Sequence, residues 1–598
     1  MSARRHTKYS SGASSEALAA SSAPHVAARA RVAGGQMGDS TSQEALTRLN
    51  LALSELKALK VAPFLRRAAS SLEANDFKRA AEFALKALHL DERSGLAWHI
   101  LAIAREKVGD FRSAIQAYES ALALTANQAD IANDLGRLAY RMDMKPLAAQ
   151  LFAHYRDANP DCVQGVNNMA CVQRDLHDYA AAIETLRPAI LANPESPMLW
   201  NTLGTVLSEQ GDMATAITFF DEALRFDPNH AHARYNRGNA KLDLGDNPGA
   251  LADCRAAMAV AASPSDRAMM TLASSTILLC NGHIGEGWDA YEARFDPDFS
   301  DPTRFAIDRP RWRPDSELAG KSLLVIGEQG LGDEVMFANI LPDLTDAVGP
   351  DGRLTIALEY RLVSLFQRSF PTARVGAHVT HKVDGHTIRQ MPFLTDPAAI
   401  DLWTPLASPL RRFRRNLADF PQRPNYLTAD PARVEHWRRV LGELPGFKVG
   451  ILWKSLKLDG ARLRYFSPFE QWRPVLETEG ATIVNLQYGE CAAELANARE
   501  ALGLEIWQPP GIDLKDDLDD VGALCCALDL VLGPPNATTN IASACGAKVW
   551  TISTPGSWPM LGSGRHPWYP QVRVFAPERF NNWSPVMLEV AQALSEVV

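Results

Sequence analysis

The sequence lacks the cysteine spacing that zinc sites and disulfide frameworks use. Its eight cysteines include no CxxC pair and have no companion histidines. This pattern argues against a structural zinc ion and against a disulfide-stapled fold, and it indicates a reducing compartment. We therefore expect no metal site and no disulfide bond.

A second group of absences concerns membranes, export and nucleic acids. The chain has no run of about 18 apolar residues that could span a bilayer. Residues 1–50 carry scattered basic residues but no compact apolar segment, which argues against a secretory signal. The net charge of −9 gives no electrostatic reason to expect nucleic acid. We expect a cytoplasmic protein in which residues 1–50, rich in Ser, Ala and Gly, form a disordered tail.

The strongest positive signal is a period of 34 residues. Small residues recur at this spacing in three registers: Ala80, Ala114, Ala148, Ala182, Ala216 and Ala250; Ala68, Ala102, Gly136, Ala170, Gly204 and Gly238; and Ala87, Ala121, Ala189, Ala223 and Ala257, with Tyr155 in the remaining place. Gly-Asp pairs at 109–110, 211–212 and 245–246 lie between the first two registers. Two helices joined by such a turn approach closely only where side chains are small. The pattern resembles the tetratricopeptide repeat, and we predict a repeat region over residues 51–296.

Asparagines lie on the predicted first helices of successive repeats. They are Asn133, Asn167, Asn168, Asn201 and Asn236. First-helix side chains line the inner surface of such a solenoid, where amide groups can hydrogen-bond an extended peptide. The functional interpretation is a groove that binds a protein. The structural alternatives are hydrogen bonding between repeats for these side chains, and a spacer or oligomerisation role for the repeats.

The rest of the chain changes character after the repeats. Residues 297–320 carry several prolines without a helical period, which predicts a stiff linker. Apolar runs typical of strands follow at 323–326, 354–358, 448–453, 481–486, 529–532 and 549–553, separated by helical segments. This alternation predicts parallel sheets in two α/β units, residues 321–440 and 441–598, with a ligand at the carboxyl ends of the strands.

A glycine-rich turn follows the first of these strands. Gly327, Gly330 and Gly332 separate the strand from an amphipathic helix that Asp333 opens. Glycine allows close approach of the backbone to a ligand, and the first turn of a helix offers unpaired N–H groups. Taken alone, the turn indicates a nucleotide-type site without identifying the ligand.

Five segments carry a resemblance to a known family: GEGWDAYEARF, KSLLVIGEQGLGDEVMFANILPDL, VGILWK, LDLVLGPPNATTNIASACGAKVW and HPWYP. They are similar to bacterial proteins that join tetratricopeptide repeats to a GT-B glycosyltransferase of the kind that modifies flagellin. The similarity spans about residues 61–598, and the second half is distantly similar to heptosyltransferases. It implies an all-α tetratricopeptide-repeat solenoid followed by an α/β GT-B region of two Rossmann-like halves.

The resemblance also implies an activity. It implies metal-independent transfer of a sugar, a nonulosonic acid such as pseudaminic acid from its CMP donor, to Ser or Thr of flagellin held by the repeats. No cofactor is implied beyond the nucleotide-sugar substrate. The biological consequence would be assembly of the flagellar filament and motility.

Carried onto this sequence, the resemblance places the catalytic base at Asp333. A hydroxyl acceptor must lose its proton as it attacks the anomeric carbon, and a positioned carboxylate can accept that proton. The structural alternative for Asp333 is a cap at the helix N-terminus, which needs no chemistry. Glu334 is the competing carboxylate.

The donor side is expected in the second α/β unit. There Lys454 and Arg464 would neutralise the leaving phosphate, or would be ordinary surface ion-pair residues. A helix N-terminus would hold the nucleotide phosphate, and the residues expected there are Asn536, Thr538, Thr539 and Asn540.

The chain departs from the wider family at this donor helix. Relatives read Asp-Thr-Ala-x-x-His where residues 535–540 read PNATTN. The loss of an acid and a histidine leaves two explanations, a different donor nucleotide or a region that binds sugar nucleotides poorly or not at all. Two other functions therefore stay open: a non-catalytic scaffold or chaperone, and a transferase acting on lipopolysaccharide or another glycan.

Overall fold

The computed structural model describes residues 42–126, 128–299, 302–383, 386–456 and 465–598. The chain divides into two compact units, Met1–Pro160 and Asp161–Val598. Most of the predicted tail lies outside the described residues. The part of it that is described belongs to a helix, which begins at Ser42.

The first unit is built from helices that pack as consecutive pairs. They are α1 Ser42–Glu73, α2 Phe77–Leu90, α3 Gly95–Lys107, α4 Phe111–Leu124, α5 Ala129–Arg141 and α6 Lys145–Ala158. The helices α3 and α5 begin 34 residues apart. The predicted helix-turn-helix repeats are confirmed here.

The second unit opens with further helix pairs. They are α7 Val163–Asp175, α8 Tyr179–Ala192, α9 Pro197–Gln210, α10 Met213–Phe226, α11 Ala231–Asp243, α12 Asn247–Val260, α13 Pro264–Cys280 and α14 Ile284–Tyr291. The helix α13 is longer than the earlier first helices of this unit, and α14 is shorter and runs into a 3₁₀ turn, Glu292–Phe295. This last pair ends the predicted repeat region.

The small residues lie where the paired helices approach each other. A Cβ atom at Gly204 would lie 2.7 Å from the Phe220 ring, and one at Gly136 would lie 2.8 Å from the Phe152 ring. The alanines of the first register, such as Ala216, have no exposed surface. Since a methyl group at these glycines would overlap a ring, close approach accounts for the recurrence of Ala and Gly.

The turn inside each pair has the same backbone geometry throughout the period. One residue has a positive φ, and these residues are Asn75, Gly109, Asp143, His177, Gly211 and Gly245. The next residue caps the following helix through its side chain at Asp76, Asp110, Asp178, Asp212 and Asp246. The Gly-Asp pairs visible in the sequence are therefore the glycine form of a turn that other residues also make.

The α/β region follows the repeats in the second unit. Its strands are β1 Arg304–Phe305, β2 Ser322–Ile326, β3 Arg353–Leu358, β4 Arg374–Ala377, β5 Val379–Val383, β6 His386–Gln390, β7 Leu402–Pro405, β8 Phe447–Ile451, β9 Ala481–Asn485, β10 Leu530–Gly533, β11 Val549–Ile552 and β12 Arg573–Phe575. Its helices are α15 Leu331–Phe337, α16 Leu341–Val348, α17 Val363–Ser369, α18 Leu410–Phe413, α19 Pro431–Gly442, α20 Arg473–Leu476, α21 Ala492–Leu502, α22 Leu518–Ala527, α23 Ala537–Ala544 and α24 Trp583–Ser595.

Two parallel sheets organise this region. The first has the strand order β4-β3-β2-β7, and the second has the order β12-β11-β10-β8-β9. Both central strands, β2 and β10, are almost fully buried, because helices cover the two faces of each sheet. The predicted strands and their parallel pairing are confirmed. A small third sheet, β1-β6-β5, was not predicted.

The predicted linker packs into the first half of the α/β region. Its strand β1 pairs with β6, and the Trp312 side chain is 3% exposed. The backbone N–H of Trp312 donates to the Trp403 carbonyl at 2.7 Å, and Arg309 donates to the Ile400 carbonyl at 2.5 Å. Residues 302–320 therefore have a fixed place on the sheet that β7 borders.

Candidate functional site

The glycine-rich turn connects β2 to α15 and is tightly enclosed. A Cβ atom at Gly327 would lie 2.5 Å from the carboxyl carbon of Glu334, so this position requires glycine. Gln329 has a φ of 66°, which is an uncommon conformation for a residue with a side chain. Gly330 is the N-cap residue of α15. The turn is thus a defined structure, with its conformation set by surrounding groups.

Asp333 lies in the first turn of α15 and faces back toward the turn. Its Oδ2 accepts a hydrogen bond from the Gly330 backbone N–H at 3.2 Å. Asp333 is half-buried, and this burial raises the pKa of its carboxyl above the ordinary value, while the hydrogen bond from Gly330 acts in the opposite direction. The helix-capping role considered for Asp333 is therefore present, with Gly330 as the N-cap and Asp333 as the third helical residue. A role as proton acceptor stays a prediction.

Glu334, the competing carboxylate, is committed to neighbouring groups. Its side chain is 2% exposed. Its Oε1 lies 2.9 Å from Nε2 of His378, and its Oε2 accepts from the Glu359 backbone N–H at 2.9 Å. These bonds tie the start of α15 to the segments after β3 and β4. Glu334 is thus a structural support of the turn, and its partner His378 belongs to no sequence motif that could have identified it.

The predicted donor helix, α23, caps itself. Asn536 accepts a hydrogen bond from the Thr539 backbone N–H at 3.2 Å, and the Thr539 hydroxyl donates to the Pro534 carbonyl at 3.0 Å. Thr538 and Thr539 are each 1% exposed. The hydroxyl groups of this helix start are therefore enclosed by protein.

The glycine-rich turn and the start of α23 lie in direct contact. The Asn540 side-chain amide donates to the Gly332 carbonyl at 2.9 Å. A Cβ atom at Gly332 would lie 3.2 Å from the backbone nitrogen of Ala537. Two segments predicted on opposite sides of a ligand site, and separated by about 200 residues in sequence, thus meet where β2 and β10 end. Position 332 requires a small residue because the backbone of α23 lies against it.

Lys454 directly follows β8 and pairs with a nearby acid. Its ammonium group forms an ion pair with Glu494 of α21, and its backbone N–H donates to Gln487 at 2.9 Å. Burial acts to raise the pKa of Glu494, but the hydrogen bond and charge of Lys454 outweigh it and hold the pKa below its ordinary value. The ion-pair alternative for Lys454 is present in the structure. Arg464, the other predicted donor cation, lies outside the described residues.

The predicted groove asparagines of the second unit bond to neighbouring repeats. Asn167 accepts from the Thr202 hydroxyl at 2.5 Å, and Asn236 donates to the Asn201 side chain at 2.9 Å. Asn168 accepts from Gln164 on the same helix at 2.9 Å. These partners satisfy amide groups that are largely buried, so hydrogen bonding between repeats is one role of this asparagine series. Asn133, in the first unit, is half-buried.

A cavity of about 630 Å³ lies beside the predicted linker. Its lining residues are Glu292, Pro310, Arg311, Trp312, Arg313, Pro314, Asp315 and Arg411. None of the predicted site residues lines it. Among the residues that the structure describes, no group of three or more His, Cys, Asp or Glu side chains is arranged to hold a metal ion, and no helix is long and apolar enough to cross a membrane.

Comparison with known proteins places this architecture among repeat proteins. Profiles of the tetratricopeptide repeat match residues 97–132 and 167–231. Protein FlbA from Caulobacter vibrioides is 53% identical over 561 residues, which cover 94% of each chain. A solved tetratricopeptide repeat protein from Parabacteroides merdae matches with 14% identity and a TM-score of 0.36, covering 39% of this chain and 91% of its own. The solved protein YrrB, a repeat protein with an unusual peptide-binding site, matches with 21% identity and a TM-score of 0.25, covering 32% of this chain and 97% of its own. The profile matches confirm the tetratricopeptide repeats.

Proposed function

The chain belongs to the family of Protein FlbA, to which it is similar over 94% of its length, and we propose one function that uses both the repeats and the sheets. We propose that the protein is a protein O-glycosyltransferase with a flagellar role. The repeats bind the acceptor protein, flagellin. The α/β region is a GT-B fold that transfers a nonulosonic acid, such as pseudaminic acid from its CMP donor, to Ser or Thr.

The observation that carries this proposal is a contact between the two segments that follow the carboxyl ends of β2 and β10. The turn after β2 packs on the helix after β10 through Gly332, Ala537 and Asn540. Ligands of open α/β sheets bind outside the carboxyl ends of the strands. A substrate held at this junction would therefore touch both halves, as transfer between a donor and an acceptor requires.

Asp333 supports the proposal as the proton acceptor of the reaction. It is a half-buried carboxyl at this junction, with a pKa raised by its burial. The acceptor hydroxyl would lose its proton to this carboxylate while its oxygen bonds to the anomeric carbon and the nucleotide leaves. The same carboxylate caps Gly330, so its position is fixed before the acceptor arrives.

The test is transfer by the purified full-length chain. Flagellin incubated with the protein and CMP-pseudaminic acid is expected to gain the mass of one or more sugar residues by intact-mass spectrometry. The variant Asp333→Asn keeps an acceptor for the Gly330 N–H and removes the base, so it is expected to leave flagellin unmodified. The matched control Asp346→Asn changes an exposed acid on α16 and is expected to transfer normally. Unchanged flagellin mass with the wild type, or equal transfer by Asp333→Asn, would contradict the proposal.

A second candidate function is a scaffold or chaperone without transferase activity. It is favoured by the enclosed start of α23 and by the pairing of Lys454 with Glu494, which occupy the groups expected to bind the donor. The two functions differ in cells. If full-length Asp333→Asn restores motility to a deletion strain as well as the wild type does, the scaffold is supported and the transferase is not.

A further inference from the structure

The glycine-rich turn is bound by a side chain that belongs to the end of the repeat region. Arg294 lies in the 3₁₀ turn Glu292–Phe295, directly after α14. Its Nε donates to Oε2 of Glu328 and its Nη2 donates to Oε1 of Glu328, both at 2.8 Å. Each of the two side chains is 5% exposed. Glu328 is the second residue of the turn, so this two-bond pair joins the repeats to the turn directly.

Further contacts fix both members of the pair. The Arg294 guanidinium also donates to the Tyr291 carbonyl at 2.8 Å and lies 4.0 Å from the centre of the Tyr291 ring. Glu328 accepts a third hydrogen bond, from the Ala407 backbone N–H at 2.9 Å. Burial disfavours the charged guanidinium, but the Glu328 carboxylate outweighs it and holds the pKa of Arg294 above its ordinary value. Because burying two charges has a large desolvation cost, such a pair is better explained by the geometry that it enforces than by stability.

The turn contains a residue in a strained conformation, next to the Arg294–Glu328 pair. Gln329 follows Glu328 and has a φ of 66°. A residue with a side chain keeps this conformation only where its surroundings fix it. On one side Arg294 holds Glu328, and on the other side the Asp333 carboxylate holds the Gly330 N–H at 3.2 Å. Gln329 and Gly330 connect Glu328, which Arg294 binds, to the N–H group that Asp333 binds. The position of the Asp333 side chain is therefore linked to the position of Arg294.

We propose that Arg294 is a positioning residue, which holds the turn at Glu328 and Gln329 so that Asp333 points toward the acceptor. The effect of Arg294 on the rate of transfer rests on the proposed function, whereas its effect on the conformation of the turn does not depend on that function. A side chain of the repeat region thereby becomes part of the transfer site without touching the substrate.

The test uses two readouts on the full-length protein. The first is hydrogen–deuterium exchange of peptides covering residues 323–337. The variant Arg294→Lys keeps the charge but can no longer bond both carboxylate oxygens, and we expect exchange in the turn to become about tenfold faster, with exchange in residues 163–260 unchanged. The matched control is Arg415→Lys, an exposed arginine that pairs with Asp289 at the same junction and does not touch the turn.

The second readout is the kinetics of transfer to flagellin. Arg294→Lys is expected to lower kcat by about 10²-fold and to leave KM for flagellin unchanged, because a small misplacement of a catalytic group acts on the chemical step. Glu328→Gln, which removes the charge on the other side of the pair, is expected to have the same signature.

Three results would overturn the inference. The first is unchanged exchange in the turn for both Arg294→Lys and Glu328→Gln. The second is faster exchange throughout residues 161–598, and the third is an increase in KM at constant kcat. The first shows that Arg294 does not hold the turn, the second that it serves overall stability, and the third that it serves acceptor binding. If the wild type transfers no sugar, the proposed function fails, but the exchange experiment still decides whether Arg294 positions the turn.

Discussion

Replacing Asp333 by asparagine separates the two roles of its carboxylate. Asparagine keeps a side-chain oxygen that can accept from the Gly330 N–H, now at 3.2 Å, and removes the charge. Burial raises the pKa of Asp333, so the folded protein disfavours the charged carboxylate relative to the unfolded chain. We expect Asp333→Asn to increase the free energy of unfolding at pH 7 while it lowers the rate of transfer by about 10²- to 10⁴-fold. Gain of stability with loss of activity distinguishes a catalytic group from a structural one.

The sign and size of this effect follow from proton binding. When the folded pKa lies above the unfolded value of 3.8, the native state binds more protons than the unfolded state between the two values. Stability then falls as the pH rises through this window, by about 1.4 kcal/mol for each pH unit that separates the two pKa values. The stability advantage of Asp333→Asn should therefore be complete above the folded pKa and should shrink as the pH falls toward 3.8.

Asp333→Ala provides the comparison for the capping role. Alanine also removes the charge, but it leaves the Gly330 N–H without its partner, at a cost of about 1 kcal/mol. Urea unfolding followed by tryptophan fluorescence, at pH 5 and at pH 8, is expected to place Asp333→Asn above Asp333→Ala at both values. Transfer should fall by about 10²- to 10⁴-fold in both variants. The reasoning is refuted if Asp333→Asn is less stable than the wild type at pH 8, or if it transfers sugar at the wild-type rate.

Three further predictions concern the repeats and their junction with the sheets. Gly204→Ala would place a methyl group 2.7 Å from the Phe220 ring and should lower the free energy of unfolding by about 1–3 kcal/mol in urea titrations; an unchanged value would contradict the close approach. Asp143→Gly should raise the free energy of unfolding in urea because φ is 64°, and Gly211→Ala should lower it because φ is 104°, each by about 1 kcal/mol; changes of the same sign would disprove the common turn geometry. Trp288→Ala removes a side chain that is 1% exposed and donates to the Arg414 carbonyl at 2.9 Å. It should lower the free energy of unfolding by about 3–5 kcal/mol in the same titration, and a loss below about 1 kcal/mol would show that the junction repacks.

Features that arise from local rules could be predicted from the sequence. The 34-residue period records a steric requirement that every repeat meets independently, so it is visible at Gly136 and Gly204 without knowledge of the fold. The parallel strands were also readable, because a strand covered on both faces needs an uninterrupted apolar run, as in β2 and β10. The turn residue with positive φ could be predicted only where it is glycine. Asp143 and His177 make the same turn, but their residue types do not indicate it.

The partners of individual side chains could not be predicted in this way. Lys454 finds its acid on α21, on the far side of β9 in the sequence, and no pattern in the sequence links the two. The side-chain oxygen of Asn167 accepts a hydrogen bond from Thr202 of the next repeat. An amide predicted to bind a peptide therefore connects two repeats. Arg294 and Glu328 were both visible in recognised segments, but their pairing depends on how α14 packs on the first sheet.

The packing of the last repeat also determines where this protein can be divided. Trp288 lies about 6 Å from the rings of both Phe337 and Trp568, so it fills part of the core of the α/β region. A fragment that begins at residue 297 would lose this indole and Arg294, leaving aromatic surface uncovered and Glu328 without its counter-charge, and it should aggregate. Attempts to redirect the protein by grafting foreign repeats should therefore keep everything from Pro264 onward and exchange only helices that precede it. In modular terms, α13, α14 and the turn after them are inherited with the sheets.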